Sequence, residues 1–228
     1  MFMYCAALLA IALMLPSLAS GQENRSGALD FGGGFAFSHK GRTAATLHSR
    51  AMAVDRLPGT SVGRFGELYG SVGIDFSGEL LLYNGGIKLG VGIGTSRFVA
   101  FLASGLMVDA YQALGESGKS HSVEPRMGFP LVLGLWLDLF PSIYSYFMAE
   151  PAWLIGASNR KYDLWPPFSV AHELKLRTGL GFDIEDVHIR LDYVFHAVSP
   201  APWHLITIGF GTSAKKSAAI GEPRNNRF

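Results

Sequence analysis

Residues 169–198 carry a pattern that few folds accommodate. Val170, Leu174, Leu176, Leu180 and Phe182 fall on every second position, and Ala171, Glu173, Lys175, Arg177, Gly179, Gly181 and Asp183 fill the places between. The next run repeats the alternation, with Val187, Ile189, Leu191, Tyr193 and Phe195 on one side and His188, Arg190, Asp192 and His196 on the other. A period of two places one set on each face of a β-strand. With 184–187 as the connection, Asp183 stands opposite His188 and Phe182 opposite Ile189, so the two apolar faces coincide and the two ionic faces coincide. In that register Arg177 faces Val194 with Asp192 as its diagonal neighbour, and Arg190 faces the space over Gly181. The hairpin is apolar on one side and charged on the other.

The same period recurs along the chain. Leu29, Phe31, Phe35 and Phe37 alternate with Asp30, Gly32, Gly34 and Ala36, and residues 43–54 form a weaker second run. Pro58-Gly59 marks a break. Strands follow over 67–76, 81–93, 97–110, 127–139, 143–155 and 203–212, with polar loops over 112–124 and 158–168. Asn84-Gly85, ordinarily a hairpin signal, is read through as one long strand because parity survives across it. From Met127 to Leu139 seven apolar residues share one face, against Arg126, Gly128, Pro130, Val132, Gly134, Trp136 and Asp138 on the other. That is more apolar area than half a sandwich can hide.

Composition points the same way. Of 228 residues 49% are hydrophobic and only 16% charged, a low charge fraction for a soluble domain. The 28 glycines, many inside strand-like runs, suit a curved sheet whose inner face must leave room for large side chains opposite. A net charge of +1 provides no field for holding nucleic acid. Residues 1–19 read as a secretory signal, with an apolar core from Ala6 to Leu15, a break at Pro16, and small residues Ser17 and Ala19 before the expected cleavage. Cys5 would leave with it, so the mature chain has neither a disulfide framework nor a thiolate nucleophile.

Connections from Asp75 onward alternate between tight turns (94–96, 140–142, 184–186) and longer or proline-bearing loops (112–124, 158–168, 199–202). Short turns on one rim and long loops on the other characterise outer-membrane barrels. Helical spans fail, because the most apolar stretch, 129–155, is interrupted by Asp138, Pro141, Glu150 and Pro151. Lipid offers the backbone no partners, so such a sheet closes, with an even strand count. The expectation is an all-β, closed antiparallel transmembrane β-barrel, an up-and-down meander of ten strands if 43–54 is counted, with eight as the alternative; the barrel domain spans 20–213 and a polar periplasmic tail spans 214–228. Tyr69, Tyr83, Trp136, Tyr144, Tyr146, Trp153, Trp165, Tyr193 and Trp203 read mostly as interfacial girdles, with packing in a soluble core left open for Tyr69 and Trp136 on the expected lumen side.

On these features, over 29–212, the chain resembles small outer-membrane β-barrel proteins of the OmpA and OmpW kind. The resemblance implies residence in the outer membrane, the lipid bilayer as partner, and insertion by the barrel-assembly machinery through a terminal aromatic. Phe228 is terminal but follows Asn225, Asn226 and Arg227 without alternation, and Phe210 is the other candidate.

The chemistry expected is electrostatic, without catalytic residues, cofactor or metal. Glu173, Lys175, Arg177, Asp183, Arg190 and Asp192 form a candidate lumen charge network, and Arg177 with Asp192 is its expected pair. Asp30, Asp75, Asp109 and Asp138 lie on the same face and read as further lumen charges more readily than as an acid dyad. His196 with Ser199 lacks an evident supporting acid, and seven histidines without close pairing give no metal-ligand spacing. The leading reading is a non-enzymatic barrel, structural or narrowly conducting. The alternatives are a rim-site hydrolase acting on lipid or peptide, and a soluble barrel with faces inverted around an apolar ligand.

Overall fold

A strand buried on one face and bathed in lipid on the other needs only alternation, and this chain supplies it almost throughout. The structure, a computed structural model, describes residues 25–38, 43–56, 60–77, 80–95, 97–114, 120–156, 171–185, 187–197 and 203–213. The strands are β1 (Arg25–Ser38), β2 (Thr43–Arg56), β3 (Val62–Asp75), β4 (Leu80–Gly94), β5 (Phe98–Leu114), β6 (Ser120–Phe140), β7 (Ile143–Gly156), β8 (Ala171–Ile184), β9 (Val187–Ala197) and β10 (Trp203–Ser213). Each pairs antiparallel with its neighbour in sequence, and β1 pairs with β10 to close the barrel. The count is therefore ten, with 43–54 inside β2 and Asn84-Gly85 inside an unbroken β4. Closure satisfies backbone groups that lipid cannot. A strand of 14 residues, at about 3.3 Å each and tilted about 45°, rises about 33 Å, enough for a hydrocarbon core of about 30 Å.

The hairpin of β8 and β9 has the register its alternation requires, with Asp183 paired to His188, Phe182 to Ile189 and Arg177 to Val194. Its tight turn holds Glu185 at a φ of 55°, a left-handed conformation that two-residue hairpins demand. Several strand boundaries move, most of all at 112–124. The expected loop over 112–124 is mostly strand, since β5 runs to Leu114, β6 starts at Ser120, and Gln112 pairs with Val123. Beyond the bilayer the ladder no longer needs apolar residues, so hydropathy could not mark where it ends; a register shift between Gln112 and Leu114 marks the irregularity. The signal segment 1–19, the loop 158–168, Ser199, Trp165 and the tail 214–228 lie outside the described residues.

The outer surface is apolar. Phe31, Phe35, Leu47, Leu89, Val91, Ile93, Leu133, Leu135, Ile206, Ile208 and Phe210 are all exposed. Charge goes inward, where Asp30, Arg50, Glu67, Lys88, Glu150, Arg177 and Arg190 are buried. This is the reverse of a soluble barrel, so the inverted, ligand-binding arrangement is not the one the chain adopts. The two termini of the described barrel, Arg25 and Ser213, share the rim of the tight turns at 141–142 and 185–186.

Inside, the half of the lumen nearer those turns is packed with Met52, Val54, Phe65, Val99, Phe101, Val132, Trp136, Tyr144, Tyr146 and Met148. Rings stack at 4.2 Å between Phe65 and Phe101 and again between Trp136 and Tyr144. Glycines opposite make the space: a Cβ at Gly134 would meet the Phe101 ring, and one at Gly181 the Tyr144 ring. We expect Gly181→Ala to destabilise by about 1–3 kcal/mol through overpacking. Gly70→Ala, where the nearest side-chain atom is Ser49 Oγ at 3.8 Å, should be neutral. Urea unfolding in lipid vesicles measures both, and equal effects would mean that the aromatic packing does not depend on the missing Cβ.

Candidate functional site

The middle of the lumen is crossed by a chain of ion pairs. Asp30 on β1 meets Arg190 on β9 (Oδ2 to Nη1, 2.5 Å), and Arg190 Nε lies 2.9 Å from Asp192 Oδ2. The same oxygen takes Arg50 Nη1 of β2 at 2.9 Å, and Arg50 Nε reaches Glu67 of β3 at 2.6 Å. Glu67 then holds Arg177 of β8 at 2.5 Å and Lys88 of β4 at 2.9 Å. Lys88 and Arg177 both turn to Glu150 of β7, at 2.6 and 3.7 Å. Four acids (Asp30, Glu67, Glu150, Asp192) thus face four bases (Arg50, Lys88, Arg177, Arg190), and the charges cancel. Every one of the eight is buried.

Tyrosines support the cations from the side. Tyr146 donates its hydroxyl to Asp192 and lies under Arg50, whose guanidinium carbon is 5.1 Å from the ring centroid. Tyr69 lies under Lys88 at 4.7 Å and under Arg177 at 5.7 Å. Tyr144 and Tyr146, expected at the interfaces, are instead fully lumenal, and Trp136 is buried on the lumen side where its parity put it. Their rings fill the room that glycines leave, and their polar atoms find partners that lipid would not offer: Tyr146 donates to the buried Asp192, Tyr144 meets His188 Nε2 at 3.2 Å, and the Trp136 indole donates to Asp138. Trp153 and Tyr193 do face outward. At the outer rim His204 stacks on Phe37 with centroids 5.4 Å apart and accepts or donates at 2.8 Å to the Tyr193 hydroxyl.

The structure distributes the six residues of the sequence-derived network differently from their order in the hairpin. Arg177 reaches Glu67 and Glu150, while Asp192 is taken by Arg50, Arg190 and Tyr146. The Arg177–Asp192 pair is therefore replaced by two separate partnerships. The cause is geometric, since a long side chain pointing across a narrow lumen meets the opposite wall more easily than its diagonal neighbour. Asp183 pairs with His188 Nδ1 at 2.7 Å near the tight-turn rim. Glu173 and Lys175 stand at the loop end, where Lys175 Nζ lies 3.6 Å from Glu173 and 3.7 Å from Asp109. The remaining aspartates are apart from one another: Asp75 accepts from Ser77 at 2.7 Å and Asp138 from the Trp136 indole at 3.0 Å.

Above the network the lumen widens toward the long loops into a cavity of about 140 Å³, lined in part by Asn84, Asp109, Lys175, Arg177, His196 and Trp203. His196 Nε2 abuts Glu173, and the Asn84 amide donates to Asp109 Oδ1. Glu173 is thus an acid beside His196, its diagonal neighbour in the β8–β9 register.

An apolar belt around a closed, charge-lined meander, with tight turns on one rim, is decisive for the architecture. It is that of a bacterial outer-membrane β-barrel. No family model matches the sequence, and no curated protein matches it. Among solved structures the chain is similar to the β-domain of the Bordetella autotransporter BrkA, at 10% identity over 82% of this chain and 98% of that one, with a TM-score of 0.48. It is also similar to the translocator domain of the autotransporter NalP from Neisseria meningitidis (11% identity, 92% and 97% covered, TM-score 0.39). A third is the toluene transporter TodX of Pseudomonas putida (8% identity, 77% and 70% covered, TM-score 0.36). Similarities of this size assign no activity, which has to come from the lumen itself.

Proposed function

We propose that this chain is a non-enzymatic barrel of the outer membrane whose lumen is closed by a salt-bridged plug, so that its role is structural or that of a scaffold for interactions at the long-loop rim. Export by a signal cleaved after Ala19, insertion by the barrel-assembly machinery and a periplasmic tail at 214–228 belong to the same reading. The observation that carries it is the neutral array of eight buried charges, contributed by seven of the ten strands and seated on the aromatic layer beneath. A barrel of this size has little more room than its own side chains require. A mobile ion would have to open several buried pairs to pass.

Planar bilayers test the plug. The wild type should give no steady conductance steps, whereas the Glu67→Ala, Arg177→Ala double variant, which removes one acid and one base from the centre of the array, should admit a measurable current. Steady, ion-selective channels in the wild type would overturn the plug in favour of a narrow channel.

A further inference from the structure

The charged groups at the loop end of the lumen differ in kind from the plug. Asp109 on β5, Glu173 on β8 and His196 on β9 bring one ligand atom each to within 4.8 Å of one another. The ladder separates β5 from β8 by two strands, so the three residues meet across the lumen and not along one wall. Asp109 and Glu173 are buried, at 2% and 4% exposure, and His196 is half-buried. Within the plug each carboxylate takes charged donors at 2.9 Å or less. Here no charged donor comes that close: Asp109 Oδ2 and both oxygens of Glu173 lack a hydrogen bond, as the Asp30 oxygens of the plug also do, and His196 Nε2 abuts Glu173. Lys175 supplies charge, but at 3.6 and 3.7 Å it lies beyond the usual 2.7–3.2 Å of a hydrogen bond. Lone pairs of two carboxylates and an imidazole therefore converge, with the Lys175 ammonium as the cation shared by the two acids. Such an arrangement calls for a cation.

We propose that Asp109, Glu173 and His196 form a binding site for a divalent transition-metal ion of the zinc class at the outer mouth of the barrel. Two carboxylate oxygens and one imidazole nitrogen are ligands that zinc accepts at about 2.0–2.2 Å, so donor atoms around it stand at most about 4.4 Å apart. Small side-chain rotations bring all three ligand atoms to that span, drawing Asp109 in and parting Glu173 from His196, which abut. The imidazole argues for such an ion over calcium or magnesium, which prefer all-oxygen shells. Access comes through the cavity, which Asp109 and His196 both line, and its open end leaves coordination positions for water. Asn84, donating to Asp109 Oδ1, fixes that carboxylate and leaves Oδ2 as the ligand. Lys175 is the competitor. Its ammonium stands between the two acids, and an incoming dication must displace it. The bound ion would tie β5 to β8 and β9 across the mouth.

Titration calorimetry with zinc chloride, on the full barrel folded in detergent, tests the site. The wild type should bind one zinc ion per chain and show no saturable response to calcium at the same concentration. Glu173→Gln and His196→Ala should each weaken zinc at least tenfold, and Lys175→Gln should tighten it severalfold. If circular dichroism shows that one of the weakening variants has not folded, Asp109→Asn carries the same expectation. Absence of saturable zinc binding in both the wild type and Lys175→Gln would overturn the proposal. So would undiminished affinity in Glu173→Gln and His196→Ala, which would place the ion elsewhere, or weaker binding in Lys175→Gln, which would make that lysine a support of the acids.

Discussion

Replacing Lys88 alone by Met should cost the barrel about 3–5 kcal/mol, and replacing Lys88 by Met together with Glu150 by Gln should cost clearly less. Lys88 is completely buried and donates to Glu67 at 2.9 Å and to Glu150 at 2.6 Å. Glu67 can spare it, because Arg50 and Arg177 remain at 2.6 and 2.5 Å. Glu150 cannot, since its other cation, Arg177, is 3.7 Å away. The single variant therefore strands a carboxylate in a dry lumen with four acids against three bases; the double variant restores balance at three and three. A buried pair owes its importance to the penalty of breaking it from one side more than to its net attraction. Urea unfolding in vesicles, followed by tryptophan fluorescence, would give the coupling from the full cycle. If the double variant costs as much as the two singles added together, the pair is not coupled and the network is not the cohesive element described above. By the same reasoning the Arg177→Ala, Asp192→Ala cycle should be close to additive, because each loses different partners.

That contrast shows where sequence reasoning stops. Alternation fixes which face each residue takes, and the turn fixes register, so the Arg177 to Val194 and Asp183 to His188 neighbours followed directly from the string. Faces and neighbours on adjacent strands are local facts. The pairs Arg50 to Asp192 and Arg177 to Glu67 join positions 142 and 110 residues apart, and depend on barrel closure, strand tilt and the reach of long side chains. No period in the sequence encodes those. Arg50 carries no such signal for a related reason: β2 alternates weakly, so its inward face is defined only by pairing with β1 and β3.

Aromatic residues show a second limit. Tyr144 and Tyr146 sit near a strand end, and depth along the strand matches an interfacial girdle just as well as a lumenal layer. Parity separates the two, and Glu150 could have supplied it: the inward face of β7 runs Tyr144, Tyr146, Met148, Glu150, Ala152 and Leu154. The only charge in that strand already named its inner side. The cluster of Asp109, Glu173 and His196 was legible only in part, because the hairpin register sets Glu173 diagonal to His196 while Asp109 joins them only across the closed lumen.

The belt that keeps the barrel in lipid is open to an equally direct measurement. Leu133→Arg should lower stability in bilayers by about 2–4 kcal/mol, the cost of an arginine on the lipid face near mid-membrane. Leu133 is 54% exposed and lies at the centre of the outward row from Met127 to Leu139. Its neighbour Val132 points inward but is a poor comparison, for it is completely buried in the packed layer with Phe101 and Met148, and an arginine there would overfill the lumen. Ser71, half-buried at the wall of the outer cavity, has space and polar neighbours, so Ser71→Arg should be tolerated far better. The difference between the two arginine variants reports the medium outside the barrel and not side-chain size. In detergent micelles, where the chain around Leu133 can recruit water, the penalty should shrink. A Leu133→Arg barrel as stable in bilayers as the wild type, or a Ser71→Arg barrel less stable than it, would mean that the apolar face is not the one in contact with lipid.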